Sequence, residues 1–367
     1  MVENKLAREV VASISLSALR HNLQRVKLLA KNAQVYAVVK ANGYGHGIDA
    51  IAQGLNEADA FAVALPEEAI ALRKAGITQP ILLLEGVFNP EQMALAEQYQ
   101  LQIVVHRLEQ WQWLIAHPGK QKPSFWLKLN SGMNRLGLSK SDLEGCLRQL
   151  EGQHSSDFSE QCLGLLSHFA CADEPEQAMN EQQWQCLHQL AQGYQRPVCC
   201  ANSAAILSLP YSHQAWVRPG IMLYGSSPFT DQTATDLQLE AVMQLQARVI
   251  SVQSVAAGDG VGYGSSWKAG ESSRVALVGI GYGDGYPRHA PSGTPVAIAG
   301  KRAGLVGRVS MDMLAIDVTA MADVRVGDVV ELWGNQVPVD EVAKAAGTIS
   351  YELLCGLSQR VARQTVA

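Results

Sequence analysis

Eight short β-rich runs recur along the first three-fifths of the chain: Gln34–Val39, Ala60–Ala64, Ile81–Leu84, Leu101–His106, Ser124–Asn130, Cys162–Phe169, Pro197–Ser203 and Val217–Tyr224. Between most of them stand longer Ala/Leu/Gln/Glu-rich segments with apolar residues at helical spacing, such as Pro66–Lys74, Pro90–Tyr99 and Glu176–Gln195. Strand and helix in alternation imply a parallel sheet, and eight is the number of strands that closes one. The expected fold class is therefore α/β, with a (β/α)8 TIM-type barrel.

The texture changes after Ser226–Asp236 (SSPFTDQTATD), a Ser/Thr/Asp/Pro-rich stretch that reads as a linker. Beyond it, Met243–Val255, Ser273–Gly279, Pro295–Ala299, Leu314–Val318 and Val329–Trp333 are strand-like, with glycine-rich turns and little helical period. The expected organisation is a barrel over residues 1–230 followed by a mostly β domain over 231–367. A length of 367 residues at 47% hydrophobic content suffices for two such cores.

The net charge of −5, with no basic block and no aromatic–basic interleaving, argues against a nucleic-acid partner. No apolar run approaches the ~20 residues that span a membrane. The start, Met1–Glu9, is polar and has no apolar segment behind it to act as a signal peptide. Seven cysteines at irregular spacing, with no C-x-x-C, fit neither a disulfide framework nor a zinc site. They read as reduced thiols of a cytoplasmic protein, several packed as small hydrophobes, and no metal is expected.

The chemistry gathers at strand ends, which is where a (β/α)8 barrel places its active site. The first run ends in Ala37–Gly47 (AVVKANGYGHG), where Lys40 leaves an apolar strand for a glycine-rich turn bearing a tyrosine and a histidine. Burial at such a position favours the neutral, nucleophilic amine, and the glycines let backbone approach a ligand closely. Asn130 with Arg135 follows the fifth run, His168 lies in the sixth, Asn202-Ser203 closes the seventh, and Arg218 with Gly220 lies in the eighth. The loops after strands seven and eight often bind phosphate, and Ser203 and Pro219-Gly220-Ile221 supply hydroxyl and backbone donors there. An imine-forming lysine, a phosphate cradle and an arginine that can face a ring together suggest pyridoxal phosphate. Within Phe125–Asn130, alternation puts Trp126, Lys128 and Asn130 on one face, and a barrel-facing lysine is costly unless paired.

These strings resemble those of alanine racemases. Besides AVVKANGYGHG they are LKLNSGMNRLG (Leu127–Gly137), SHF (Ser167–Phe169), ANSAA (Ala201–Ala205) and VRPGIMLYG (Val217–Gly225). In the second domain they are VGYGSSW (Val261–Trp267), GYGDGYPR (Gly281–Arg288), GRVSMDM (Gly307–Met313) and YELLC (Tyr351–Cys355). The resemblance runs through nearly the whole chain and implies the same barrel-plus-β plan.

It also implies roles. Lys40 would hold pyridoxal phosphate as a Schiff base and serve as one base, with Tyr263 as the opposite base, so that protons leave and return on opposite faces of Cα. A phenol with an ordinary pKa of about 10 needs polarising neighbours for this, and the resemblance supplies His168 beside Arg218. Arg218 would face the pyridine nitrogen, while Tyr44, Asn202, Ser203, Gly220, Ile221 and Tyr351 would bind the rest of the cofactor. Arg135 and the Met311 backbone would hold the substrate carboxylate. Lys128 would be carbamylated and orient Arg135; pairing with some other acid is the alternative. A head-to-tail homodimer would let Tyr263 and Met311 complete the partner's site.

The implied activity is interconversion of L- and D-alanine, with Tyr282 and Tyr351 narrowing the entrance to suit a small side chain. A racemase of broader specificity and a decarboxylase on the same plan are the alternatives. A barrel that binds the cofactor without catalysis would lack the second domain. A biosynthetic role, supplying cell-wall precursors, and a catabolic role both stay open. Departures from the family pattern are few: Asn130-Ser131 for Asp-Thr, Ser310 for Cys, and a less typical tail over Arg360–Ala367 whose packing stays open.

Overall fold

A computed structural model describes residues 9–119, 122–152 and 156–367; the polar start through residue 8 lies outside the described residues. Eight parallel strands close into a barrel: β2 (Gln34–Val38), β3 (Ala60–Val63), β4 (Ile81–Leu83), β5 (Leu101–Val105), β6 (Phe125–Lys128), β7 (Cys162–Leu166), β8 (Val198–Cys199) and β9 (Trp216–Val217). The ring closes where Gln34 and Val35 pair with Trp216 and Val217. Every residue of β3, β4 and β6 is buried, because the barrel fills one face and the helices cover the other.

The helix Pro66–Lys74 has the expected bounds, and Glu91–Gln98 and Ala178–Gly193 fall inside the expected segments. Every barrel strand is shorter than its run, and the last two are reduced to two residues each. The eighth stops at Val217 because Pro219-Gly220 breaks the ladder, and Ile221–Tyr224 forms a 3-10 turn instead of strand. The seventh stops at Cys199, and Asn202 caps the short helix Ser203–Ser208 through its side-chain oxygen.

Inside the barrel, Tyr36 stacks on Trp216 with ring centroids 4.1 Å apart. Its hydroxyl accepts from Trp126 Nε1 at 3.1 Å and donates to Gln102 Oε1 at 2.5 Å. The interior is thus packed, and a ligand can enter only at the mouth.

The second module is built on β10 (Met243–Val255), β13 (Ser273–Val278), β14 (Pro295–Ile298), β15 (Lys301–Val306), β16 (Leu314–Asp317) and β17 (Val329–Trp333), with β11 (Gly260–Val261) and β12 (Trp267–Lys268) as a side hairpin. β15 and the helices Val339–Ala345 and Ser350–Cys355 carry no strong period and are additions to the sequence reading. Two further strands join this sheet from the ends of the chain. β1 (Val11–Ser15) runs antiparallel to β10, and β18 (Ala362–Val366) lies parallel to β1. Residues 11–15, placed on the barrel side of the boundary by sequence, thus hydrogen-bond into the other module. Their backbone pairs with Met243–Gln246 and so covers what would otherwise be an exposed edge of β10. The stretch after the barrel is also anchored. Ser226 Oγ donates to Asp340 Oδ1 at 2.5 Å, and Ser227 N donates to Asp340 Oδ2 at 3.2 Å.

No helix among the described residues is long and apolar enough to cross a membrane.

Candidate active site

Lys40 stands half-buried at the end of β2, and the backbone beyond it takes an unusual path. Ala41, Asn42, Gly43 and Tyr44 all have positive φ, at 53°, 55°, 63° and 50°. This is one turn of left-handed helix, costing about 1–2 kcal/mol at each of Ala41 and Tyr44. The surroundings offset that cost. Glu68, on the neighbouring helix, accepts Ala41 N at 2.6 Å with one carboxylate oxygen, and Ala64 N and Leu65 N at 3.0 and 3.1 Å with the other. Charge-assisted bonds of this kind contribute about 1.5–3 kcal/mol. Arg363, from β18, donates to Gly45 O at 2.6 Å. Gly45 is obligatory, since a Cβ there would lie 2.0 Å from Leu354 O.

Arg218 is buried across the mouth. Its Nη1 donates to Cys199 O at 2.7 Å, and its Nη2 donates to Ser167 O at 2.7 Å and faces His168 Nδ1 at 3.3 Å. Among the described residues no hydrogen bond engages its Nε. Burial first, then the charges of Arg218, Lys128, Arg135 and Lys40, hold the His168 pKa well below the ordinary imidazole range. Four cations from three strand ends, with Lys128 and Arg135 both at the end of β6, therefore act on one point, in a chain whose net charge is −5. Such a site is made for an anion.

Lys128 ends β6 inside the mouth, and among the described residues no hydrogen bond or ion pair holds its ammonium. Burial, reinforced by Arg218 and Arg135, lowers its pKa to about 8, with Glu85 opposing. Lys128, Asn130, Ser131, Arg135, Ser167 and His168 line one cleft. Arg135 is exposed on its loop. Asn130 takes Gly132 N and Asn134 N on its side-chain oxygen, so asparagine here shapes the loop that carries Arg135. Ser131 Oγ lies 2.7 Å from Ser167 Oγ. Gln183, buried on the helix Ala178–Gly193, donates to Ser131 Oγ and to His168 O, tying the two loops together. Nothing local in the sequence marks Gln183 or Glu68. Each is one polar residue among many on a helix.

On the opposite rim Ser203 Oγ accepts Gly220 N at 2.8 Å. Tyr44 stacks on Tyr224 at 4.6 Å and lies 6.0 Å from the ring of Tyr351. A Cβ on Gly220 would sit 2.6 Å from the Tyr44 hydroxyl, so only glycine leaves this approach open. Burial raises the pKa of both Tyr44 and Tyr351, so each phenol keeps its proton and can donate. Ile221 follows Gly220 in the same turn. Lys40, Tyr44, His168, Asn202, Ser203, Arg218, Gly220, Ile221 and Tyr351 are thus brought to one end of the barrel, joined there by Lys128 and Arg135.

Tyr263 and Met311 are not. Both lie on loops of the second module, 68% and 53% exposed, and among the described residues no contact connects Tyr263 with Lys40 or His168. Their loops are neighbours: a Cβ on Gly307 would lie 2.7 Å from Val261 O. The Met311 loop is also fastened to the Tyr282 loop, with Gly283 N donating to Met311 O at 2.8 Å. Arg360 bridges Asp284 at 3.3 Å and Asp312 at 2.7 Å. The atypical tail is therefore packed, as part of this loop cluster and of β18.

Comparison with known proteins agrees with this architecture at every level. The family model of the alanine racemase N-terminal domain matches residues 14–228, and that of the C-terminal domain matches residues 242–365. The alanine racemase of Nitrosospira multiformis is 47% identical over 98% of this chain and 100% of its own length. That of Stutzerimonas stutzeri is 48% identical over 98% of this chain and 99% of its own. The crystal structure of the biosynthetic alanine racemase from Pseudomonas aeruginosa superposes with a TM-score of 0.93 at 45% identity, covering 98% of this chain and 100% of that one. The chain belongs to the alanine racemase family.

Proposed function

We propose that the chain interconverts L- and D-alanine with bound pyridoxal phosphate, as a cytoplasmic head-to-tail homodimer whose second module, residues 231–367, completes the partner's site. The observation that carries this reading is the convergence of Lys40, Lys128, Arg135 and Arg218 on His168. The site needs two anions to balance it, and a phosphate ester together with an amino-acid carboxylate supplies them.

The residues present fit the cofactor. Ser203, Tyr44, Tyr351 and the Gly220-Ile221 backbone offer donors for its phosphate, around a glycine that leaves them room. Asn202 holds the loop that carries Ser203. The Nε–H of Arg218, unengaged among the described residues, would donate to the ring nitrogen, and a guanidinium does not give that proton up. When bound, pyridoxal phosphate acidifies the Cα–H of alanine by drawing electron density into its ring.

The chain's own residues do the rest. Lys40 would hold the cofactor until alanine displaces it, and its freed Nζ would then carry a proton on one face of Cα. Tyr263 of a second copy carries one at its hydroxyl on the other. The neutral His168, fixed by Arg218, polarises that hydroxyl. Arg135 grips the carboxylate with a guanidinium fork, and Met311 N of the second copy adds a donor. Carbamylated Lys128 places an anion beside Arg135 and removes one of the crowded cations.

The exposed Tyr263, Tyr282, Met311 and Met313 support the shared site, because they form an apolar patch on adjoining loops that a partner would cover. Proton exchange at Cα in heavy water, run with both enantiomers of alanine and of serine, tests reaction and substrate together. Exchange with inversion for alanine, far faster than for serine, is expected; exchange with serine at equal rate would favour a broader racemase.

A further inference from the structure

The histidine in the Lys40 turn has no part in the chemistry above, yet its surroundings are specific. His46 is 1% exposed, and its Nδ1 lies 2.9 Å from both Gly43 O and Tyr44 O. Two carbonyls can face Nδ1 only if that atom carries a proton. Its Nε2 is buried without a hydrogen-bond partner among the described residues. A buried, bare Nε2 and a protonated Nδ1 define one neutral tautomer.

Within the turn, Gly43 N reaches Val39 O and Gly45 N reaches Ala41 O, each at 2.9 Å, but no backbone N–H reaches Tyr44 O. His46 fills that gap. Its ring packs against Tyr224 at 4.6 Å with a 30° tilt, Tyr224 stacks on Tyr44 at the same distance, and the Tyr224 hydroxyl donates to Val38 O at 3.0 Å. The imidazole thus ties the far end of the left-handed turn to the strand end that precedes Lys40. An orphaned buried nitrogen is a cost that a purely apolar filler would avoid. Its retention points to the donor on the other side of the ring.

We propose that His46 is a positioning residue: its Nδ1–H holds the left-handed turn closed, and the turn sets Lys40 and the Tyr44 hydroxyl toward Gly220. This rests on the reading of Lys40 and Tyr44 as cofactor-holding residues.

The test compares His46→Asn, whose amide N–H can occupy the Nδ1 position, with His46→Gln, which reaches the Nε2 position, and with His46→Leu, which has no donor. Amide hydrogen exchange at residues 41–47 is measured on the full-length chain after cofactor removal, alongside exchange in the barrel strands. Affinity for added pyridoxal phosphate is then read from its visible absorbance. The Leu and Gln variants are expected to exchange the turn amides at least 30-fold faster with the strands unchanged, and to bind the cofactor at least 10-fold more weakly. The Asn variant is expected to stay within 3-fold of wild type in both. Equal behaviour of Asn and Gln would overturn the proposal even if the Leu variant fails to fold, as would unchanged turn exchange in all three. Failure of the wild-type chain to take up pyridoxal phosphate would overturn the reading of Lys40 instead, leaving the exchange comparison to decide the role of His46.

Discussion

Arg218 Nη2 stands 3.3 Å from Nδ1 of His168, and the same nitrogen donates to Ser167 O at 2.7 Å. A single guanidinium therefore fixes both the backbone and the ring orientation of the histidine. Lysine cannot copy this fork. Arg218→Lys is expected to lower kcat about 100-fold and to shift the visible spectrum of the bound cofactor. Losing the fork that joins Cys199 O and Ser167 O should also cost about 3 kcal/mol of stability, measured by urea unfolding.

The exposed Tyr263, with no contact to Lys40 among the described residues, makes a complementation experiment decisive. Lys40→Ala and Tyr263→Phe are each expected to lose racemisation by at least about 100-fold, the range of general acid–base removal. Tyr263→Phe should keep cofactor affinity. When the two inactive variants are unfolded, mixed and refolded, about a quarter of wild-type activity should return, because half the dimers are hybrids and each hybrid holds one intact site. No recovery would mean that the two residues act within one chain or not together.

Acid should loosen the Lys40 turn. Burial, against the raising effect of its bonds to Tyr44 O and Gly43 O and with the help of the Arg363 charge, lowers the His46 pKa to about 4. The flanking Tyr44 and Tyr224 phenols stay neutral, since burial raises their pKa values. The folded value lies below the unfolded one of about 6.5, so the unfolded chain takes up the proton first as pH falls. Stability is therefore full above pH 6.5 and is lost toward pH 4, by on the order of 3 kcal/mol from this residue. His168, lowered for similar reasons, adds in the same direction. Urea unfolding at pH 7 and 4.5 should show a smaller loss in His46→Asn than in wild type.

Lys128, with its pKa lowered to about 8, keeps an appreciable neutral fraction near pH 7.5, which can attack carbon dioxide as a nucleophile. Lys128→Ala is expected to raise the KM for alanine at least 10-fold with a smaller change in kcat, since Arg135 loses its orienting anion. Electron density beyond Nζ in crystals grown in bicarbonate would identify the adduct. Bare density together with an ion pair to Glu85 would exclude it.

Much of this was legible in residue order. Eight apolar runs separated by helical spacing define the barrel, since parallel strands buried on both faces leave a continuous apolar signal. Lys40, Arg135, His168, Ser203 and Arg218 could be found because barrel chemistry collects at strand ends. The rest depends on partners far away in the chain. Gln183 and Glu68 become structural only when a neighbouring loop presents its backbone to them, and the handedness of Ala41–Tyr44 is set by contacts from Glu68, His46 and Arg363. The short strands at the two chain ends, five residues each, carry too little pattern to reveal which sheet they join.

That pairing has a consequence for biosynthesis. β1 is the first described strand to leave the ribosome, yet its neighbours are β10 and β18, the latter at the opposite end of the polypeptide. At ~5–20 residues per second, roughly 10–50 s separate its emergence from that of β10. Throughout that interval β1 has no sheet to join, and its second edge stays open until β18 follows.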